Sequence, residues 1–122
     1  MMDLKDKRIS VTGGEGFLGR HLMAALERRG CRQARVVPQS AYDLTRPGDV
    51  ARFYKDQKPE VVIHLAAVVG GIGANMENPG RYFYENAMMG IEMIHQAWKN
   101  GVEKMVAIGT ICAYPKHTPV PF

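Results

Sequence analysis

Apolar positions along this chain recur with two periods. Short β-branched runs, Ile9-Ser10-Val11-Thr12, Val36-Val37 and Val61-Val62-Ile63-His64-Leu65-Ala66-Ala67, are separated by stretches whose apolar residues return every three to four positions. The first run predicts a strand over 8–12. Phe17, Leu18, Leu22, Ala25 and Leu26 then make a stripe at helical spacing, with Arg20, Glu27 and Arg28 off it, so a helix is expected over 16–29, stopped by Gly30. A short second strand follows over 34–37, and Ala41-Tyr42-Asp43-Leu44 reads as a short third one. Thr45-Arg46-Pro47-Gly48-Asp49 has the residues of a helix start, with Thr45 or Asp49 as cap. That helix turns Val50, Phe53 and Tyr54 inward and ends at Lys58-Pro59.

The unbroken apolar run over 61–67 has the length and branching of a strand buried on both faces, as in a parallel sheet. Residues 68–79 are rich in glycine and asparagine and read as a long loop at the C-terminal end of that strand, the edge where α/β folds bind ligands. A long helix is expected over 79–100, closed by Gly101. Its Phe83, Ala87, Ile91, Ile94 and Trp98 recur at helical spacing, which assigns its aromatics and methionines to a core or an interface. A last strand covers 104–109. The tail over 110–122 carries Pro115, Pro119 and Pro121 and is not regular throughout. Strand–helix alternation with right-handed crossovers makes this an α/β chain with a doubly wound parallel sheet of about five strands, in one domain over 1–122.

Composition narrows the partners. The 122 residues suffice for one core. A net charge of +4 without a basic run longer than two residues gives no nucleic-acid footprint. No apolar run approaches the roughly 20 residues of a membrane span. The two cysteines, Cys31 and Cys112, are far apart and not in metal-ligand spacing, so no metal is expected. With no signal pattern, they point to a reducing cytoplasm.

The candidate chemistry lies in Thr12-Gly13-Gly14-Glu15-Gly16-Phe17-Leu18-Gly19, a glycine turn between a strand and an amphipathic helix. Both Gly13/Gly16/Gly19 and Gly14-x-Gly16-x-x-Gly19 fit a dinucleotide fingerprint. Such a turn needs a residue free to take positive φ, backbone N–H groups that approach a pyrophosphate without a Cβ in the way, and a helix packed close to the sheet. The helix N-terminus supplies unsatisfied N–H groups and partial positive charge to the phosphate. The alternative is an ordinary tight βα turn without a ligand.

These residues resemble the extended short-chain dehydrogenase/reductases, the NAD-dependent epimerase/dehydratases. Thr12 to Gly19 matches their T-G-x-x-G-x-x-G turn, Asp43-Leu44 their D-hydrophobic pair, and His64-Leu65-Ala66-Ala67 their H-x-A-A strand end. Asn86-x-x-x-Gly90 matches their N-x-x-G helix pattern with one extra residue. Within the family, Gly70-Gly71-Ile72-Gly73-Ala74-Asn75 and Cys112-Ala113-Tyr114-Pro115-Lys116 are similar to the GDP-L-fucose synthase subgroup. The resemblance implies a Rossmann-like fold that binds NAD or NADP. It places Gly13, Gly14, Glu15, Gly16, Phe17, Leu18 and Gly19 around the pyrophosphate and Asp43 and Leu44 at the adenine. Leu65, Ala66 and Ala67, with Ile108, Gly109 and Thr110, then run along the ribose and nicotinamide. Gln39 stands at the end of strand two, where an acid would hold the ribose of NAD and a nearby arginine the phosphate of NADP; Val36 to Ser40 contains neither. The subgroup uses NADP(H), and the missing carboxylate removes a repulsion against the phosphate, so the resemblance leans to NADP with NAD still open.

Two further residues take catalytic roles by resemblance. Thr110 holds the hydroxyl position that would hydrogen-bond the sugar C4 oxygen. Cys112 holds the place of an acid/base in epimerisation, the alternative being a small buried residue after a strand. The departure is the Tyr-x-x-x-Lys pair on which the family's proton transfer rests. Tyr54-Lys55-Asp56-Gln57-Lys58 has that spacing, but in the second helix, at the wrong point in the fold. The chain therefore looks like the N-terminal cofactor half of a nucleotide-sugar epimerase/reductase. It is expected to be inactive alone and to meet a nucleotide sugar only with a missing C-terminal half. The alternative is a non-catalytic dinucleotide-binding or interaction module. An uncovered last strand and the long helix, where the family dimerises, lead us to expect a homodimer or pairing through that helix or the sheet edge.

Overall fold

The computed structural model describes residues 2–110, 113–115 and 117–119. Four strands form one parallel sheet: β1 (Ile9–Thr12), β2 (Ala34–Val37), β3 (Val61–His64) and β4 (Lys104–Ala107), in the order β2-β1-β3-β4. Between them lie α1 (Phe17–Arg28), α2 (Pro47–Gln57), α3 (Ile72–Glu77) and α4 (Pro79–Lys99). Thr12 sits opposite Val37 on one side and His64 on the other, and His64 opposite Ala107, so all four strands end level.

The two faces of the sheet follow the period-2 alternation. Ile9, Val11 and Val61 point to the α1 side and pack with Leu26 and Cys31. Val62 and Val37 point to the other side and pack with Val50, Phe53 and Tyr54 of α2 and Met89, Met93 and Ala97 of α4. Ser10 and Thr12 on β1 are also buried, and both are satisfied: the Ser10 hydroxyl donates to Gln57 Oε1 at 2.8 Å, and Thr12 bonds His64.

Several expectations need correcting. The sheet has four strands among the described residues, because Ala41–Leu44 is a turn. The Ala41 and Tyr42 N–H groups both donate to the Pro38 carbonyl, and the Asp43 N–H donates to the Asp49 carboxylate, so these three donors are not available to a ladder. β3 stops at His64 rather than residue 67, and β4 at Ala107 rather than 109. The loop over 68–79 contains α3, whose entry is tied by Asn75 Nδ2 donating to the Gly70 and Gly71 carbonyls. Neither Thr45 nor Asp49 caps α2; Arg46 is its first flanking residue and Pro47 opens it. Its end is as expected, at Lys58 with φ 46° before Pro59.

Both helical stripes divide in the same way. On α1, Leu26 is buried while Phe17 and Leu18 are exposed. On α4 the residues that enter the core are Met89, Met93 and Ala97, one turn apart, whereas Phe83, Ile91, Ile94 and Trp98 are 58–77% exposed. Of the core or interface expected for the aromatics and methionines of this helix, the core takes Met89 and Met93, and the exposed Phe83, Ile91, Ile94 and Trp98 are left to the interface alternative.

Candidate functional site

β1 is continued by α1 toward β2 on one side and paired with β3 on the other, so the C-terminal ends of β1 and β3 flank the point where the strand order reverses. Open α/β sheets have a crevice there. Here it is a cavity of about 350 Å3.

Its floor is the glycine turn. Gly13 has φ +67°, and a Cβ there would lie 2.8 Å from the Ala66 nitrogen, so only glycine lets the turn lie against the end of β3. A Cβ on Gly14 would meet Val36 at 2.7 Å, and one on Gly19 would collide with the Gly13 carbonyl oxygen and lie 2.5 Å from Gly14 Cα. Gly16 differs: its Cβ would meet only the Gly13 oxygen, at 3.2 Å. Gly16 is also the flanking residue of α1, with no side-chain cap and no acidic residue in the first turn. The first N–H groups of α1, which follow the cavity-lining Gly16, therefore have no side-chain cap, and an anion can supply an acceptor.

The second wall is the segment after β3. Thr12 Oγ1 accepts the N–H groups of Leu65 at 3.2 Å and Ala66 at 3.1 Å and lies 2.7 Å from His64 Nδ1. The Leu65 N–H is shared with the Thr12 carbonyl oxygen, also at 3.2 Å. Burial holds the pKa of His64 below the ordinary value and so favours the neutral ring. Three residues on, the Asn86 amide bonds both backbone groups of Val68.

The third wall is the turn after β2. Asp43 lines the cavity, but its carboxylate serves its own loop. Oδ1 accepts the Thr45 hydroxyl at 2.6 Å and the Thr45 N–H at 3.1 Å, and Oδ2 pairs with Arg46 Nε at 3.1 Å. The hydrogen bonds from Thr45 hold its pKa below the usual carboxylate range. Beside it, burial and a hydrogen bond to Asp56 push the Tyr42 phenol up, so it stays protonated.

Of the expected cofactor residues, the cavity gathers Gly13 to Gly16, Gln39, Asp43, Leu44 and Leu65 to Ala67. Phe17, Leu18 and Gly19 belong to α1 and do not line it, and neither do Ile108, Gly109 and Thr110 just past β4. Cys112 lies outside the described residues. Reading the sequence missed Val37, Tyr42, Thr45, Val68, Val69 and Met89, which also line the cavity. Val68 and Val69 simply continue the Leu65–Ala67 wall, and Met89 carried a core signal, which it satisfies as well. Tyr54 is a core residue: it is 1% exposed and its hydroxyl donates to the Met93 carbonyl at 2.8 Å. Burial raises its pKa, the opposite of what a proton-transferring tyrosinate needs.

The sequence model of the NAD-dependent epimerase/dehydratase family matches residues 9–122. The chain belongs to that family. Among curated proteins it is 37% identical over 118 residues to a GDP-L-fucose synthase of Sinorhizobium fredii, covering 97% of this chain and 37% of that protein. It is 36% identical over 120 residues to GDP-L-fucose synthase 1 of Arabidopsis thaliana, covering 98% and 37%. Among solved structures it superposes with a TM-score of 0.90, at 30% identity, on MlghC, a GDP-mannoheptose C4 reductase from Campylobacter jejuni with NADP bound, covering 100% of this chain and 38% of that one. The chain thus spans a little over one third of the length of these relatives. Among its described residues no helix is long and apolar enough to cross a membrane, and no cluster of His, Cys, Asp and Glu could hold a metal ion.

Proposed function

We propose that this chain is the dinucleotide-binding portion of a cytoplasmic nucleotide-sugar epimerase/reductase of the GDP-L-fucose synthase kind, with a preference for NADP. The observation that carries the reading is the crevice itself. A glycine turn pressed against the end of β3, the open N-terminus of α1 and the wall over 65–69 meet around one cavity. The backbone at Gly13–Gly16 would hold the pyrophosphate, and the turn carrying Gln39, Asp43 and Leu44 the adenosine. Because the Asp43 carboxylate is already bonded to Thr45 and Arg46, that turn offers the adenine backbone and apolar surface rather than a free carboxylate. The polar Gln39 at the end of β2 brings no negative charge to a ribose phosphate. When bound, the dinucleotide would supply a hydride for reduction of a 4-keto sugar nucleotide. Thr110 and Cys112 would stand on the sugar side of that reaction.

Turnover is not expected of these 122 residues by themselves, since their one Tyr-x-x-x-Lys spacing is spent on the core. The exposed stripe of α4 supports pairing with a second copy of the chain. Calorimetric titration with NADPH and then NADH tests the reading. Micromolar binding, tighter for NADPH, is expected. A folded chain that binds neither would refute the site, and tighter binding of NADH would refute the preference.

A further inference from the structure

Three side chains of α2 hold the turn that closes the crevice on the β2 side. Asp49, Arg52 and Asp56 recur at i, i+3 and i+7, which sets them on one stripe of the helix. Each reaches a different residue of the turn. Asp49 Oδ2 accepts the Asp43 N–H at 3.0 Å, Arg52 Nη2 donates to the Ala41 carbonyl at 2.6 Å, and Asp56 Oδ2 accepts the Tyr42 hydroxyl at 3.2 Å. Arg52 joins two of these anchors. The same Nη2 donates to Asp49 Oδ1 at 2.8 Å, so one nitrogen links the carboxylate that holds Asp43 to the carbonyl of Ala41. Its guanidinium also lies over the Tyr42 ring, 4.7 Å from the centroid. Phe53 meets that ring at a steep angle, with 5.8 Å between centroids. Tyr42, held in this way by both stripes of α2, lines the crevice together with Gln39, Asp43, Leu44 and Thr45. The Arg52 and Asp49 side chains are 48% and 28% exposed, and an ion pair so placed adds little to overall stability. What it fixes is local: the path of a turn that has no strand ladder to hold it.

We propose that Arg52 is a positioning residue for the adenosine side of the crevice: its guanidinium fastens the turn over 39–45 to α2 and so sets the surface on which the adenosine lies. This rests on the reading of the crevice as a dinucleotide site. The Ala41 carbonyl and the Asp49 carboxylate ask for two protons on one nitrogen, which a lysine ammonium also offers. Methionine at the same position keeps an unbranched stem and offers neither proton.

The test uses the 122-residue chain, with NADPH as probe and amide exchange at Tyr42 and Asp43 as a readout that needs no cofactor. In Arg52→Met we expect both amides to lose protection while β1 and β3 keep theirs. The melting temperature should stay within a few degrees of wild type, and NADPH should bind roughly fivefold more weakly. Arg52→Lys should regain most of the protection and most of the affinity. Unchanged protection in Arg52→Met overturns the clamp. Lost protection with unchanged NADPH affinity overturns its role in the site, as does an Arg52→Lys chain that binds no better than Arg52→Met. An Arg52→Met chain that unfolds as a whole overturns it too, because the residue then serves the fold. Wild-type protein that shows both amides protected and binds no NADPH refutes the site reading instead, and the positioning role with it.

Discussion

Adding one methyl group to the glycine turn should do opposite things at Gly16 and Gly19. At Gly19 the new Cβ would collide with the Gly13 carbonyl oxygen and stand 2.5 Å and 2.6 Å from the Gly14 Cα and carbonyl carbon. All three are backbone atoms, so no side chain can swing aside, and ordinary contact requires α1 or the turn to move by close to 1 Å. Overpacking of that kind costs about 1–3 kcal/mol or more, out of a total stability of about 5–15 kcal/mol. At about 4 °C or more per kcal/mol, Gly19→Ala should melt roughly 10 °C below wild type. At Gly16 the Cβ meets one atom, the Gly13 oxygen, at 3.2 Å, which a shift of a few tenths of an ångström relieves. The backbone there has φ −72°, open to any residue. Restricting the unfolded chain by a Gly→Ala change returns about 0.4–1 kcal/mol, so Gly16→Ala should melt within a few degrees of wild type.

Its effect belongs to the ligand. The methyl would stand at the N-terminus of α1, where a pyrophosphate must come within hydrogen-bond reach of the first N–H groups. Pushing a phosphate back even part of an ångström should weaken NADPH by roughly tenfold or more, about 1.4 kcal/mol per decade. The assay is thermal unfolding of both variants followed by calorimetric titration of Gly16→Ala. A Gly16→Ala chain that binds NADPH like wild type would refute the placement of the pyrophosphate. A Gly19→Ala chain as stable as wild type would refute the close packing of α1 on the turn.

Two other predictions concern stability and assembly. His64 has a folded pKa below its ordinary value near 6.5 through burial, so below about pH 6.5 the unfolded chain takes up a proton that the folded chain refuses. Its contribution is complete above that pH and is lost as the pH falls, until the folded ring itself protonates. Urea unfolding between pH 8 and 5 should therefore show a slope of up to about 1.4 kcal/mol per pH unit that His64→Gln lacks; equal slopes would count against the buried neutral ring. The stripe of Phe83, Ile91, Ile94 and Trp98 on α4 should make the chain self-associate, and the double change Ile91→Lys, Ile94→Lys should abolish this in sedimentation at unchanged melting temperature. A wild-type monomer at the highest attainable concentration would remove the basis for that pairing.

What the sequence disclosed was local in origin. Strand against helix could be read from the period of apolar residues, and the turn after β1 from its glycines, because Gly13 needs a positive φ that the residue type advertises. Readings failed where the answer depends on a distant partner. α4 carries two apolar stripes at helical spacing, and only the arrival of α2 decides that Met89, Met93 and Ala97 are the buried one. Ala41–Leu44 has the length of a short strand, but its Ala41, Tyr42 and Asp43 donors are claimed by the Pro38 carbonyl and the Asp49 carboxylate. The Tyr54–Lys58 spacing was not misread: its place between strands set it apart from a catalytic pair, and Tyr54 is buried in the core as the apolar spacing of α2 indicates. Asn86 was noticed as part of a pattern, yet nothing within its own helix shows that its amide reaches Val68.

The same distinction separates what the glycine turn says about fold from what it says about ligand. Gly13, Gly14 and Gly19 are each required by the protein's own atoms: the end of β3, the Val36 side chain and the turn itself. A chain that bound nothing would need all three to bring α1 against β1 and β3. Gly16 is required least in that way, since its Cβ would meet a single backbone atom, the Gly13 oxygen, at 3.2 Å. The neighbouring wall repeats the pattern. Thr12 and Asn86 spend their hydrogen bonds on holding Leu65, Ala66 and Val68 in place, and the residue between them, Ala67, is left facing the cavity. Three rigid glycines frame one open one, and two anchored ends frame one open residue. Gly16 and Ala67 therefore favour a dinucleotide more than the number of glycines does, because both line the cavity, Gly16 with the least crowded Cβ position of the turn and Ala67 exposed.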